Sequence, residues 1–95
     1  METPQKFRAT KTSKEGYWNK GDSVYVLSYD IRNLNEGMHG YYKIKTFGSQ
    51  EGAQHYIRDK DFEPLVSDGT LQRRSMTEKQ KELADEWVGK KRVYA

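Results

Sequence analysis

From Lys20 to Leu65 the apolar positions follow a period of two, and that alternation predicts most of the fold. Across Ser23 to Tyr29, Val24 and Val26 fall on one face and Tyr25, Leu27 and Tyr29 on the other, as in a half-buried strand. Lys20-Gly21-Asp22 ahead of it reads as a turn, because glycine supplies backbone freedom and aspartate can bond its own backbone two residues on. Tyr41 to Phe47 repeats the period, with Tyr42 and Ile44 opposite Tyr41, Lys43, Lys45 and Phe47. Gly48 to Gly52 then reads as a hairpin turn and Ala53 to Ile57 as the next strand. An earlier strand is predicted where Phe7 and Ala9 alternate with Lys6, Arg8 and Thr10. Asp59 to Asp61 makes a short helical turn before Phe62, and since Pro64 cannot donate to a ladder, a last strand over Phe62-Glu63-Pro64-Leu65 is an edge strand or ends there. The predicted core is Phe7, Val24, Val26, Tyr42, Ile44, Ile57, Phe62 and Leu65.

After Ser67-Asp68-Gly69 the period changes. Met76, Gln80, Leu83 and Trp87 share one helical stripe with Ala84 and Val88 beside it. Ser75 with Glu78, or Thr77 with Gln80, forms a capping box, and Gly89 stands where a helix ends. The predicted organisation is a β-domain over 1–66, a linker over 67–75, an amphipathic helix over 76–89 packed on the sheet, and a basic tail or short strand over 90–95. Leu83 and Trp87 are expected to press on the outer sheet face, where Tyr25, Leu27, Tyr29, Tyr41 and Phe47 would make an apolar patch too large to leave in water.

The order Lys20-Gly21-Asp22, strand, long loop, Gly40-Tyr41-Tyr42, short turn, third strand and Phe62-Glu63-Pro64-Leu65 resembles the Src-homology-3-like small barrels, including their bacterial and phage members. The resemblance covers about half of the chain. It implies a mainly β fold, a small barrel followed here by one C-terminal helix. It also implies a groove for an extended peptide, which eukaryotic relatives build from first-loop tyrosines, a tryptophan opening the third strand, and a proline and a tyrosine near the last turn. In this chain Tyr17-Trp18 lie in the first loop, Tyr41 stands where that tryptophan would be, and Phe62 replaces the tyrosine.

Composition narrows the chemistry. Ninety-five residues with 34% hydrophobic content suit one domain with a small core. The absence of cysteine excludes a disulfide framework and thiolate chemistry. No apolar run approaches the roughly 18 residues of a membrane helix and no signal-peptide pattern appears, so a soluble cytoplasmic protein without a membrane partner is expected. His39 and His55 stand sixteen residues apart without ligand spacing, so neither a metal nor another cofactor is expected. Asp59 and Asp61 read as a solvated turn, the serines lack a nucleophile elbow, and no phosphate loop is present. An enzyme is therefore not expected.

Binding remains. The net charge of +3 is concentrated at the two ends: residues 1–20 carry +3, residues 21–66 carry −2 and residues 67–95 carry +2. Tyr17 and Trp18 either plug one end of the barrel or form a contact surface. Ile31 to Gly40 is long for a hairpin connection and is either a functional loop or one turn of helix through Ile31, Leu34 and Met38. The expected function is a non-catalytic module acting by protein–protein interaction through Tyr17, Trp18, Leu34, Met38 and Tyr41, in the manner of a phage or bacterial accessory protein. The alternative is a nucleic-acid-binding barrel using Lys6, Arg8, Lys11, Lys14, Arg73, Arg74, Lys90, Lys91 and Arg92, with loop aromatics for stacking.

Overall fold

The computed structural model describes residues 2–34, 37–49 and 52–89, leaving aside the side chains of 33 and 34. Its elements are β1 (Gln5–Ala9), β2 (Ser23–Leu34), β3 (Gly37–Phe47), β4 (Ala53–Arg58), α1 (Asp59–Ser67), β5 (Leu71–Arg74) and α2 (Glu78–Val88). The strands form one antiparallel sheet in the order β4-β3-β2-β1-β5. This is a mainly β domain with two helices, and its sheet is open. Among the described residues no ladder joins β4 to β5, so the expected barrel does not close through backbone bonds. Instead α1, which connects the two edge strands in sequence, packs against β3, β4 and β5.

The inner face holds the larger core. Phe7 and Ala9 of β1, Val24 and Val26 of β2, Tyr42 and Ile44 of β3, Ile57 of β4, Phe62 of α1 and Leu71 of β5 meet there with Trp18. All of the predicted core residues belong to this cluster, Leu65 as a half-buried member. The strand expected over Phe62–Leu65 is helix, because Phe62, Leu65 and Val66 recur at helical spacing and present one face to the core. Asp59 and Asp61 in its first turn favour the positive end of the helix dipole. Pro64, inside that helix, forfeits one backbone bond. The last strand is β5, which lies within the segment expected to be linker and pairs with β1 through Ala9↔Leu71 and Arg8↔Gln72.

The outer face is covered by α2. Thr77 caps the helix reciprocally with Gln80, and Gly89 closes it in the left-handed conformation. The ring of Trp87 stacks on Phe47 with centroids 4.9 Å apart and meets Tyr25 edge-on at 5.2 Å. Leu27, Met76 and Val88 complete this second core around Ala84, which is fully buried. Leu83 does not join it and is 37% exposed: the face turned to the sheet is that of Ala84, Trp87 and Val88, which recur at i, i+3 and i+4. The segment 90–95, expected as a tail or strand, lies outside the described residues.

Two features of β2 depart from the sequence pattern. The loop or helical turn expected over Ile31–Gly40 is a continuation of the β2–β3 ladder, which runs to Asn33↔Met38 and Leu34↔Gly37. The register also shifts between Val26 and Ser28, so Leu27 is an extra residue in a β-bulge. Beyond it the faces exchange, and Tyr29 opposes Tyr42 instead of joining Tyr25 and Leu27. The Tyr29 hydroxyl then donates to Asp59 at 2.8 Å and crosses over Gly40, where a β-carbon would collide with the phenol. Tyr42 donates in parallel to Glu63 at 3.0 Å, so two tyrosine–carboxylate bonds tie the β2–β3 ladder to α1.

The predicted Lys20–Asp22 turn is fixed by a buried carboxylate. Asp22 accepts from the Asn19 N–H, the Ser49 N–H and the Ser49 hydroxyl, at 2.6–3.0 Å, and so holds the first loop to the β3–β4 turn. Burial pushes this carboxyl up, but the three bonds outweigh it and leave its pKa below the ordinary value. Gly48 has no side chain because a β-carbon there would strike the Asp22 carboxylate.

Ile44→Ala removes a fully buried side chain and should cost roughly 2–5 kcal/mol in denaturant unfolding, whereas a loss below about 1 kcal/mol would contradict its burial. A second expectation concerns alkaline pH. Burial, and then the bond to Glu63, push the Tyr42 phenol from 10.0 up to about 12. The folded state therefore holds this proton more tightly than the unfolded chain, and stability is full below about pH 10 and falls towards pH 12. Tyr42→Phe should flatten that fall in denaturant midpoints, and an unchanged slope would refute the assignment.

Candidate binding cleft

The unclosed side of the sheet forms a cleft. The first loop, Lys11 to Trp18, makes one wall, and Tyr56, Ile57 and Arg58 of β4 make the other, with Tyr41 of β3 beside them. Asp61 and Leu65 of α1, with Asp68 and Thr70 from the turn ahead of β5, complete its lining. The volume is about 700 Å³, within the range of small-ligand and peptide sites.

Short-range bonding explains the shape of the first wall. The Ser13 hydroxyl accepts from the Tyr17 N–H at 2.7 Å, and the Ser13 N–H donates to the Trp18 carbonyl at 3.0 Å, so the loop folds back on itself. Its base is held by Thr10, whose hydroxyl donates to the Gly69 and Thr70 carbonyls. Trp18 is 1% exposed and its indole N–H donates to the Lys11 carbonyl at 3.0 Å. Trp18 is therefore the plug, a back wall for the cleft that offers a partner little surface of its own. Tyr17 is half-buried and its ring lies 4.8 Å from that of His55.

The opposite wall carries unmet polar atoms. Arg58 contacts His39 Nδ1 through Nη2, while its Nε is buried without a partner among the described residues, as is Nε2 of His55 farther along β4, outside the cleft lining. Charges of both signs line the recess: Lys11, Lys14 and Arg58 with Glu15, Asp61 and Asp68. Asp68 is engaged already. The Thr70 side chain and N–H, with Lys11 nearby, hold its carboxyl below the usual value. Among the described residues no group of three His, Asp or Glu side chains is placed to hold a metal, and no helix is long and apolar enough to cross a membrane.

The structure thus brings Tyr17, Trp18 and Tyr41 to one cleft and leaves Met38 out of it. Met38 is 70% exposed at the far end of the β2–β3 hairpin, because the ladder carries it outward, and the side chain of Leu34 lies outside the described residues. Of the basic residues, Lys11 and Lys14 enter the cleft. Lys6 and Arg74 oppose each other on β1 and β5, Arg8 opposes Gln72, and Arg73 opposes Phe7. Lys90, Lys91 and Arg92 lie outside the described residues. Sequence reasoning missed Tyr56, Arg58 and Asp61; a charged residue at a strand-to-helix junction, followed by acids, was the available signal for Arg58.

Comparison of the chain with protein-family models, with curated proteins and with solved structures gives no match.

Trp18→Phe keeps much of the ring but strands the Lys11 carbonyl, and should destabilise the fold by about 1–3 kcal/mol. Tyr17→Ala, at a half-buried rim, should cost about 1 kcal/mol or less. Thermal or denaturant unfolding of the two variants would show the reverse order if Tyr17 were the plug.

Proposed function

We propose that this chain is a non-catalytic binding module that acts by protein–protein interaction and takes an extended segment of its partner into the cleft. What carries this reading is the convergence of Tyr17, Tyr41 and Tyr56, backed by Trp18, on one recess lined by both signs of charge. Aromatic rims with sparse charges suit a peptide's mixed surface. The strand order, with a helix between the fourth and fifth strands, supports placing the chain with the Src-homology-3-like small barrels in an open form. The longer helix over Phe62–Leu65 and the later final strand are departures from that pattern. The same resemblance supports a cytoplasmic accessory or regulatory role in a bacterium or its phage.

Nucleic acid is the second reading, and it rests on Lys6, Arg8, Arg73 and Arg74. Among the described residues these exposed or half-exposed cations have no carboxylate within ion-pair distance. Such binding would be dominated by phosphate contacts and would collapse between about 50 and 200 mM salt.

A library of random 12-residue peptides displayed on phage, panned on the intact chain, tests the first reading. Selected peptides are expected to bind with Kd values near micromolar at physiological salt, and to lose about tenfold with Tyr17→Ala or Tyr41→Ala. Failure to select any peptide, or selection of peptides indifferent to both changes, would overturn it. Oligonucleotide binding at low salt that falls by orders of magnitude towards physiological salt and disappears with Arg74→Ala, with no peptide selected, would promote the second.

A further inference from the structure

The two edges of the open sheet are not equivalent. β5 has four residues, and Gln72, Arg73 and Arg74 are all exposed, with the Arg74 guanidinium folded onto the Arg73 carbonyl and the Gln72 side chain. A short, charged edge of that kind resists pairing with another strand. β4 has six residues, spans about 20 Å and carries one full charge, Arg58. Alternate residues of β4 turn N–H and C=O away from β3, and among the described residues the first loop makes no backbone bond to them. Two of the three buried side-chain atoms without partners among the described residues also lie on this strand, Nε2 of His55 and Nε of Arg58.

We propose that β4 is a strand-addition edge: the partner segment lies in the cleft as a further strand beside β4 and brings a side-chain carboxylate to Arg58. The inference rests on the peptide-binding reading above and specifies its mode and chemistry. A strand laid there would satisfy the outward backbone groups of β4. Its side chains would alternate between the Tyr17 and Leu65 side and the Tyr56 side. Arg58 sets the charge preference. Its guanidinium lines the cleft, Nη2 is occupied by a ring nitrogen of His39, and among the described residues no carboxylate lies within ion-pair distance of it. Glu15 and Asp61 share the cleft without reaching it. An acceptor bearing charge would complete the fork that the fold leaves half-used.

The test uses the leading peptide from the displayed library and the unmodified protein. Two versions of that peptide are N-methylated at complementary alternate positions, which removes backbone donors while keeping every side chain. One version should lose about tenfold or more in affinity by calorimetry and the other should change little, because only alternate residues of an added strand bond to the edge. Equal loss in both versions, or loss in neither, overturns strand addition while leaving the peptide-binding reading intact. Failure of the library itself removes that reading and the inference with it. The carboxylate is tested separately. The selected peptides should be enriched in Asp or Glu, and replacing that residue by its amide should lose about tenfold against the wild type but little against Arg58→Gln. Selected peptides without acidic residues, or equal losses against both proteins, refute the Arg58 contact. Because Arg58→Gln could weaken the fold, its unfolding midpoint is compared with the wild type, and Arg58→Lys, which keeps charge without the fork, should recover only part of the affinity.

Discussion

The first half of β2, Val24 to Leu27, is buried on both sides, and the rest of the molecule answers to that. Val24 and Val26 enter one core and Tyr25 and Leu27 the other. A strand flanked by apolar residues on each face cannot stand at the surface of a domain, so two separate covers are required. On one side the sheet curves around α1 and Trp18; on the other α2 lies across Tyr25, Leu27 and Phe47. With only 34% of the chain hydrophobic, both covers are assembled from few large side chains, chiefly Trp18, Phe62 and Trp87.

Covering the inner face with a helix has a cost in closure. α1 fills the space between β4 and β5 with Phe62, which removes the need for the two edge strands to meet. The opening that remains is the cleft. Its walls hold their positions through bonds remote from it: Asp22 fixes the root of the first loop to the β3–β4 turn, while Tyr29 and Tyr42 anchor α1 through Asp59 and Glu63. The recess is therefore bounded by a rigid frame, the condition under which a binding surface needs little ordering when its partner arrives.

How far this could be read from the residues follows from what each signal depends on. Period-two alternation located β1 through β4 and almost all of the inner core, since side-chain alternation is local. The capping residues Thr77 and Gln80 and the terminal Gly89 located α2 for the same reason. The bulge at Leu27 left no mark in the alternation before it, so Tyr29 was assigned to the wrong face. The Phe62–Leu65 segment is equally apolar as strand or helix over four residues, and Pro64 argued against the helix that tertiary packing nevertheless imposes. β5, with Leu71 followed by Gln72, Arg73 and Arg74, has one buried residue and no periodic pattern to reveal it. Tyr17, Trp18 and Tyr41 stood out by residue type alone, but Arg58 and Tyr56 gain their meaning from an opening that exists only once the sheet has failed to close.

The bulge has a meaning for how this gene can change length. A strand normally tolerates the loss of no codon, because every side chain beyond the gap turns to the opposite face. β2 already carries one residue more than β3 opposes, with Val26 facing Ile44 and Ser28 facing Lys43 across adjacent positions. Loss of the Leu27 codon would regularise the ladder and leave Tyr29, Asp30 and Ile31 opposite their present neighbours, at the expense of one fully buried side chain in the core under α2. The strand thus stores a spare position, and it is the place in the sheet where an in-frame deletion does least to the pairing.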